Sequence, residues 1–138
     1  LTVTGSMAFL PTSILAFELD GTSTNVGAGV NDLLTLVGGN ADLVLDGTLD
    51  VAELAGFTGQ GWTNGDFWTL ITYEGSLTDN GLDLGSLPTL DDGLLWALDT
   101  SVGGEIRLEI VIPEPSTWAL LAIGLGGVGI LARRRTKG

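Results

Sequence analysis

The chain of 138 residues contains no cysteine and no histidine. Without cysteine there is no disulfide, no thiolate metal site and no thiol nucleophile; without histidine there is no Ser-His-Asp relay and no imidazole ligand. Basic residues are nearly as scarce, five against 17 acidic ones, for a net charge of −12. Four of those five, Arg133, Arg134, Arg135 and Lys137, crowd the end of the chain. Arg107 alone faces 16 acidic residues within positions 1–112, a net of −15. Such a body repels phosphate backbones, which excludes nucleic acid as a partner. The chemistry left is that of carboxylates, which serve in glycoside hydrolysis or bind a hard cation. A basic region followed by an apolar stretch and a small-residue cleavage site is also missing near Leu1, so the sequence reads as a mature chain or a fragment.

What is present is 44% hydrophobic residues and 22 glycines, a composition unlike that of acidic disordered segments, which are poor in aliphatics. The body, residues 1–112, is therefore expected to fold as one acidic unit. Apolar residues recur at every second position in short runs broken by Gly, Asn and Asp, the pattern of half-buried strands between tight turns. Glu105 to Ile112 sets Ile106, Leu108, Ile110 and Ile112 on one face, opposite Glu105, Arg107 and Glu109. Ser13 to Leu19 aligns Leu15, Phe17 and Leu19, while Phe67 to Tyr73 and Leu94 to Leu98 are aromatic-rich core strands. Ala41 to Leu45 and Thr48 to Glu53 meet at Asp46-Gly47, a hairpin signal that also suits a corner between rungs of a solenoid. Only Val30 to Val37 and Val51 to Phe57 hold apolar clusters without alternation, and the glycines bordering each argue against helices there. No fixed repeat period is measurable.

The segments Leu1-Thr2-Val3-Thr4-Gly5, Asn40 to Val51 and Gly65 to Ile71 together resemble the C-terminal end of autotransporter-like β-strand-repeat proteins. That resemblance implies the last rungs and cap of a right-handed parallel β-helix; an antiparallel β-sandwich is the alternative, favoured by a hairpin at Asp46-Gly47.

At Pro113-Glu114-Pro115 the chain changes character, because two prolines fix φ and disfavour helix in the preceding residues. Ser116 and Thr117 can cap a helix, and Trp118 to Ala132 then runs without a charge into Arg133-Arg134-Arg135. As a hydrophobic transmembrane helix this run would extend roughly 22 Å, short of the roughly 30 Å hydrocarbon layer, so it is a marginal span. Trp118 suits one interface and the arginines the other, which predicts a cytoplasmic C-terminus with the body outside. A short motif, an apolar run and a basic tip, in that order, resemble the PEP-CTERM sorting signal, with residues 113–117 as motif, 118–132 as helix and 133–138 as basic tail. The resemblance implies processing by an exosortase, a membrane enzyme, in bacteria that make exopolysaccharide. It points to a non-enzymatic protein of the bacterial envelope, cell surface or extracellular matrix, linked to biofilm, whose tail serves as a transient or retained anchor.

Other motifs are accounted for more simply. Gly124 to Gly129 spells G-x-G-x-x-G, but the chain ends before the acidic residue a dinucleotide site requires, so no nucleotide is expected. Leu10-Pro11-Thr12-Ser13 and Leu87-Pro88-Thr89-Leu90 lack the residues of a Gram-positive wall-sorting signal. Asp79, Asp83, Asp91 and Asp92 offer oxygen ligands for calcium in Gly-bearing loops, although solvated turns explain such aspartates equally well, and no cofactor is expected. Trp62, Asp66 and Trp68 are candidate glycan contacts, the stacking surface of a carbohydrate-binding or carbohydrate-degrading module; burial of Trp68 in a core strand with Trp62 over an edge is the preferred account. No catalytic residues are assigned.

Overall fold

The computed structural model describes residues 1–26 and 30–113. The C-terminal hydrophobic helix expected over 118–132 lies outside the described residues. Within them the chain is all-β, with eleven strands and no helix: β1 (Thr2–Thr4), β2 (Met7–Ala8), β3 (Ile14–Asp20), β4 (Leu34–Val37), β5 (Leu43–Leu45), β6 (Thr48–Ala55), β7 (Phe67–Tyr73), β8 (Leu77–Asp79), β9 (Asp83–Leu84), β10 (Leu95–Asp99) and β11 (Glu105–Val111).

Each of the first six strands pairs in parallel with the strand three places along. One sheet runs β1-β4-β7-β11-β10, a second β2-β5-β8 and a third β3-β6-β9. The chain thus visits three sheets in turn, returns, and does so three times. Thr2 faces Thr35, Met7 faces Leu43 and Ile14 faces Thr48, so one pass takes about 35 residues. Only the first sheet continues beyond the third pass: β11 adds antiparallel to β7, and β10 antiparallel to β11.

Alternation along each strand decides which face is buried. Leu15, Phe17 and Leu19 of β3 point inward beside Leu49 and Val51 of β6, and Met7, Leu43 and Leu77 stack in register in the second sheet. The core lies between the three sheets and is aliphatic near the first two passes. In β7 the buried residues Trp68, Leu70, Ile71 and Tyr73 break strict alternation, and the break has a geometric cause. Ile106 faces Ile71 whereas Arg107 faces Thr69, leaving Leu70 as an extra residue. A bulge of this kind shifts the inward phase by one position and keeps both halves of the strand on the core.

Parallel pairing rules out the antiparallel sandwich for the first nine strands. Asp46-Gly47 is a corner, not a hairpin: β5 and β6 on either side of it belong to different sheets, and the corner lies within one pass rather than between successive ones. The clusters Val30 to Val37 and Val51 to Phe57 form no helix; Leu34 and Leu36 alternate inward along β4, and β6 runs on to Ala55.

The corners stack as tightly as the strands. Gly21 donates its N–H to the Ala55 carbonyl, and a Cβ there would overlap Ala55 and Gly56 backbone atoms. Gly75 lies equally close to Ala41 and Asp42. Glycine at these two positions lets consecutive passes approach at the sheet spacing of about 4.8 Å.

Candidate functional site

Four aromatic rings close the third-pass end of the core. Phe57 meets Trp68 edge-on at 5.2 Å and Trp96 at 5.3 Å, while Trp68 contacts Trp62 at 5.0 Å and Trp96 at 5.5 Å. Each indole N–H is spent on a loop carbonyl. Trp68 Nε1 donates to Ser23 (2.8 Å) and Asp20 (3.3 Å), Trp62 Nε1 to Gly21 (2.8 Å) and Trp96 Nε1 to Pro88 (2.9 Å). The cluster therefore pins the segments that follow β3, β6 and β9 to one another. Trp68 is 1% exposed and offers no ring face to a sugar, so the stacking role considered for it is removed. Trp62 is half-buried with its N–H engaged, and half-buried Asp66 accepts from the Thr63 amide.

The carboxylates of the corners act on backbone amides. Asp42 accepts from both the amide and the hydroxyl of Ser76 in the next pass, and Asp50 accepts from the Ser86 amide. Glu74 reaches back to the amides of Gly38 and Gly39. These bonds favour the charged forms: the Ser76 amide and hydroxyl hold Asp42 below the ordinary range, and the Gly39 and Gly38 amides do the same for Glu74. Asp20 is lowered by the hydroxyl and amide of Thr22, and Asp99 by those of Ser101. Several acidic residues of this net-negative body are thus corner braces.

The calcium candidates are dispersed. Asp79 accepts from the Gly81 amide and the Thr100 hydroxyl, and Asp91 takes the Gly59 amide on both oxygens at 2.9 and 3.0 Å. Asp83 lies in β9 and Asp92 in the loop before β10. Among the described residues no group of three or more acidic side chains is placed to hold a metal ion.

Two ends of the ladder differ. At the first pass the outer edges of β1, β2 and β3 have no strand partner, and an apolar cavity of about 390 Å³ opens there, lined by Met7, Phe9, Leu15, Phe17 and Leu34 among others. At the opposite end β11 and β10 cover the edge of β7, while β8 and β9 are the edge strands of their sheets. From that end the chain leaves. Gly65 donates to the Ile110 carbonyl, Ile110 to the Asp66 carbonyl, and Ile112 to Asn64 Oδ1 at 3.0 Å, so the 64–66 turn clamps the end of β11 up to Pro113. No sequence signal marked Asn64 for this task, since a turn asparagine before glycine has many uses. Of the sorting motif only Pro113 is described; Glu114, Pro115, Ser116, Thr117, Trp118, Arg133, Arg134 and Arg135 lie outside the described residues.

These features define an all-β protein of stacked parallel strands whose last described strand ends at Val111. Residues 111–135 match the PEP-CTERM protein-sorting motif, starting on the last residue of β11 and ending on the third arginine. Over 108 residues, 78% of its length, the chain is 45% identical to the Adhesin BmaC autotransporter of Brucella suis biovar 1 (strain 1330), and it spans 3% of that adhesin. No solved structure matches it. The motif implies processing by an exosortase-type membrane enzyme.

Proposed function

We propose that the chain is the tail-bearing end of an exported, non-catalytic surface protein, its body the last rungs and cap of a parallel β-helix and its residues 113–138 the signal that directs it. The observation that carries this is the junction: the sorting match begins on Val111, where the last strand ends. A folded unit that terminates where the signal starts is what a processing enzyme needs, because cleavage beyond Pro113 leaves every described strand intact. The likeness to an autotransporter adhesin supports a surface role without chemistry of its own.

The β-helix reading draws support from the three stacked passes and from their unequal ends. The outer edges of β1 and β2 beside an apolar cavity at the first pass are what a further parallel pass would cover, and the β10–β11 hairpin occupies the edge of β7 at the other end. Delivered outside the cell, an acidic ladder of this kind serves attachment or matrix building beside exopolysaccharide. The apolar run beyond Thr117 holds the chain in the membrane with its arginines on the cytoplasmic side until the exosortase acts.

Fractionation of cells expressing the full chain beside a version ending at Ile112 tests the sorting role. The full chain is expected at the envelope or cell surface and the shortened one in the periplasm or medium. Identical distribution of the two would remove it.

A further inference from the structure

At the corner where the chain leaves the ladder, three strand ends meet on the outer face of the first sheet. Val111 pairs with Leu95, and Glu109 in the same strand pairs with Phe67. Leu95 is 54% exposed and Phe67 36%, Val111 is half-buried beside Leu95, and Ile112, 40% exposed, follows at the strand end on the Ile110 side. The Arg107 guanidinium lies 4.1 Å above the Phe67 ring and is paired with Glu105. Arg107 is the one basic side chain among the described residues, so the body's only side-chain cation sits beside this apolar corner.

The chain between this corner and the uncharged run is short. Only Glu114 to Thr117 separate Pro113 from Trp118, and even a fully extended backbone spans at most roughly 18 Å over that distance. With the run at Trp118 entering a bilayer, Ile112 and its neighbours are held within reach of the headgroup layer. Exposed leucine, isoleucine and phenylalanine beside an arginine are the residues that gain from shallow insertion there. The first-pass strand β1 lies two to four strand spacings away in the same sheet.

We infer that Phe67, Leu95, Val111 and Ile112 form a lipid-contacting foot, which rests on the bilayer surface while the tail is still in place and so fixes the third-pass end of the ladder towards the membrane. This inference rests on the tail being membrane-inserted, as argued under Proposed function. Glu109, the cross-strand neighbour of Phe67, lies within this corner and keeps the contact shallow.

Because the chain has no cysteine, single labels can be placed cleanly. Full-length Leu95→Cys, Leu125→Cys and Leu10→Cys proteins, each carrying an environment-sensitive fluorophore, would be reconstituted into phosphatidylethanolamine–phosphatidylglycerol vesicles containing spin-labelled lipid. Leu10 is 63% exposed in the first pass, so it is the remote control. The expected result is deep-label quenching at position 125, shallow-label quenching at position 95 and none at position 10. Quenching at 125 with positions 95 and 10 equally unquenched would overturn the foot while leaving the inserted tail standing. Absence of quenching at 125 would overturn the inserted tail and the foot with it. A blue shift at position 95 that appears without lipid and grows with protein concentration would assign the corner to a second copy instead. Phe67→Ser with Leu95→Ser, both exposed, should abolish protection of an Ile112→Cys label by vesicles without changing the intrinsic tryptophan emission; retained protection would also count against the foot.

Discussion

Replacing Trp68 with phenylalanine removes the indole N–H but keeps an aromatic ring in the core. The N–H bridges the third pass to the segment after β3 through the Ser23 and Asp20 carbonyls. Both carbonyls keep a second donor, Asn31 Nδ2 on Ser23 and the Ser23 amide on Asp20, so the lost bond costs about 0.5–1.5 kcal/mol. Losing the larger ring weakens edge-on pairs with Phe57, Trp62 and Trp96, each worth about 0.5–1.5 kcal/mol, of which phenylalanine restores only part. The combined loss should be about 1–3 kcal/mol, a sizeable share of the roughly 5–15 kcal/mol that a domain of this kind possesses. Urea unfolding followed by circular dichroism on residues 1–113 would show a lower midpoint with an unchanged slope, because the surface exposed on unfolding is the same. Trp62→Phe, whose ring is half-buried and holds a single carbonyl, should cost less, about 1 kcal/mol. A Trp68→Phe loss no larger than that of Trp62→Phe would refute the idea that the indole ties the passes together.

Two glycines of one corner should respond in opposite ways. Gly21→Ala pushes a methyl group into the Ala55–Gly56 backbone and should cost about 1–3 kcal/mol, whereas Gly56→Ala meets no atom within 4 Å and should be neutral or slightly stabilising, both read by thermal melting. Acid should weaken the ladder: Asp42 and Glu74 have folded values lowered by Ser76 and by Gly39 and Gly38, so their contribution is complete above the ordinary carboxylate values of 3.8 and 4.5 and is lost as pH falls through the lower folded values. Asp42→Asn should flatten that acid limb by lowering stability near neutral pH while leaving stability at pH 2 little changed, as stability measured from pH 7 to pH 2 would show. Chelator should leave the melting temperature unchanged, since Asp79 and Asp91 are engaged with backbone and hydroxyl donors; a clear drop would restore calcium as a ligand.

Strands with clear alternation were legible in the sequence. Glu105 to Val111 form β11 with Ile106, Leu108 and Ile110 buried, and Leu15, Phe17 and Leu19 face the core as the pattern requires, while β7 was legible from its aromatic and β-branched run and not from alternation. The shortest strands were not: β2 and β9 have two residues each, too few for any period to show, and their pairing depends on neighbours about 35 residues away. That repeat was hidden because corners of unequal length separate its strands, and only three passes are present. Asp46-Gly47 illustrates the limit of local signals, since a positive φ at Gly47 serves a corner as readily as a hairpin and only the partner strands decide. Of the candidate site, the sorting motif was legible because its three parts are consecutive. The clamp of Asn64 on Ile112 was not, because it joins positions 48 residues apart.

Cleavage of the tail bears most directly on what this chain is for. Intact-mass spectrometry of the protein recovered from an exosortase-bearing host, beside the same host lacking that enzyme, reads the mature C-terminus. The sorting account predicts a chain ending near residues 113–117 in the first host and an uncut chain ending at Gly138 in the second. The same uncut chain in both would contradict it and leave residues 118–132 as a permanent anchor.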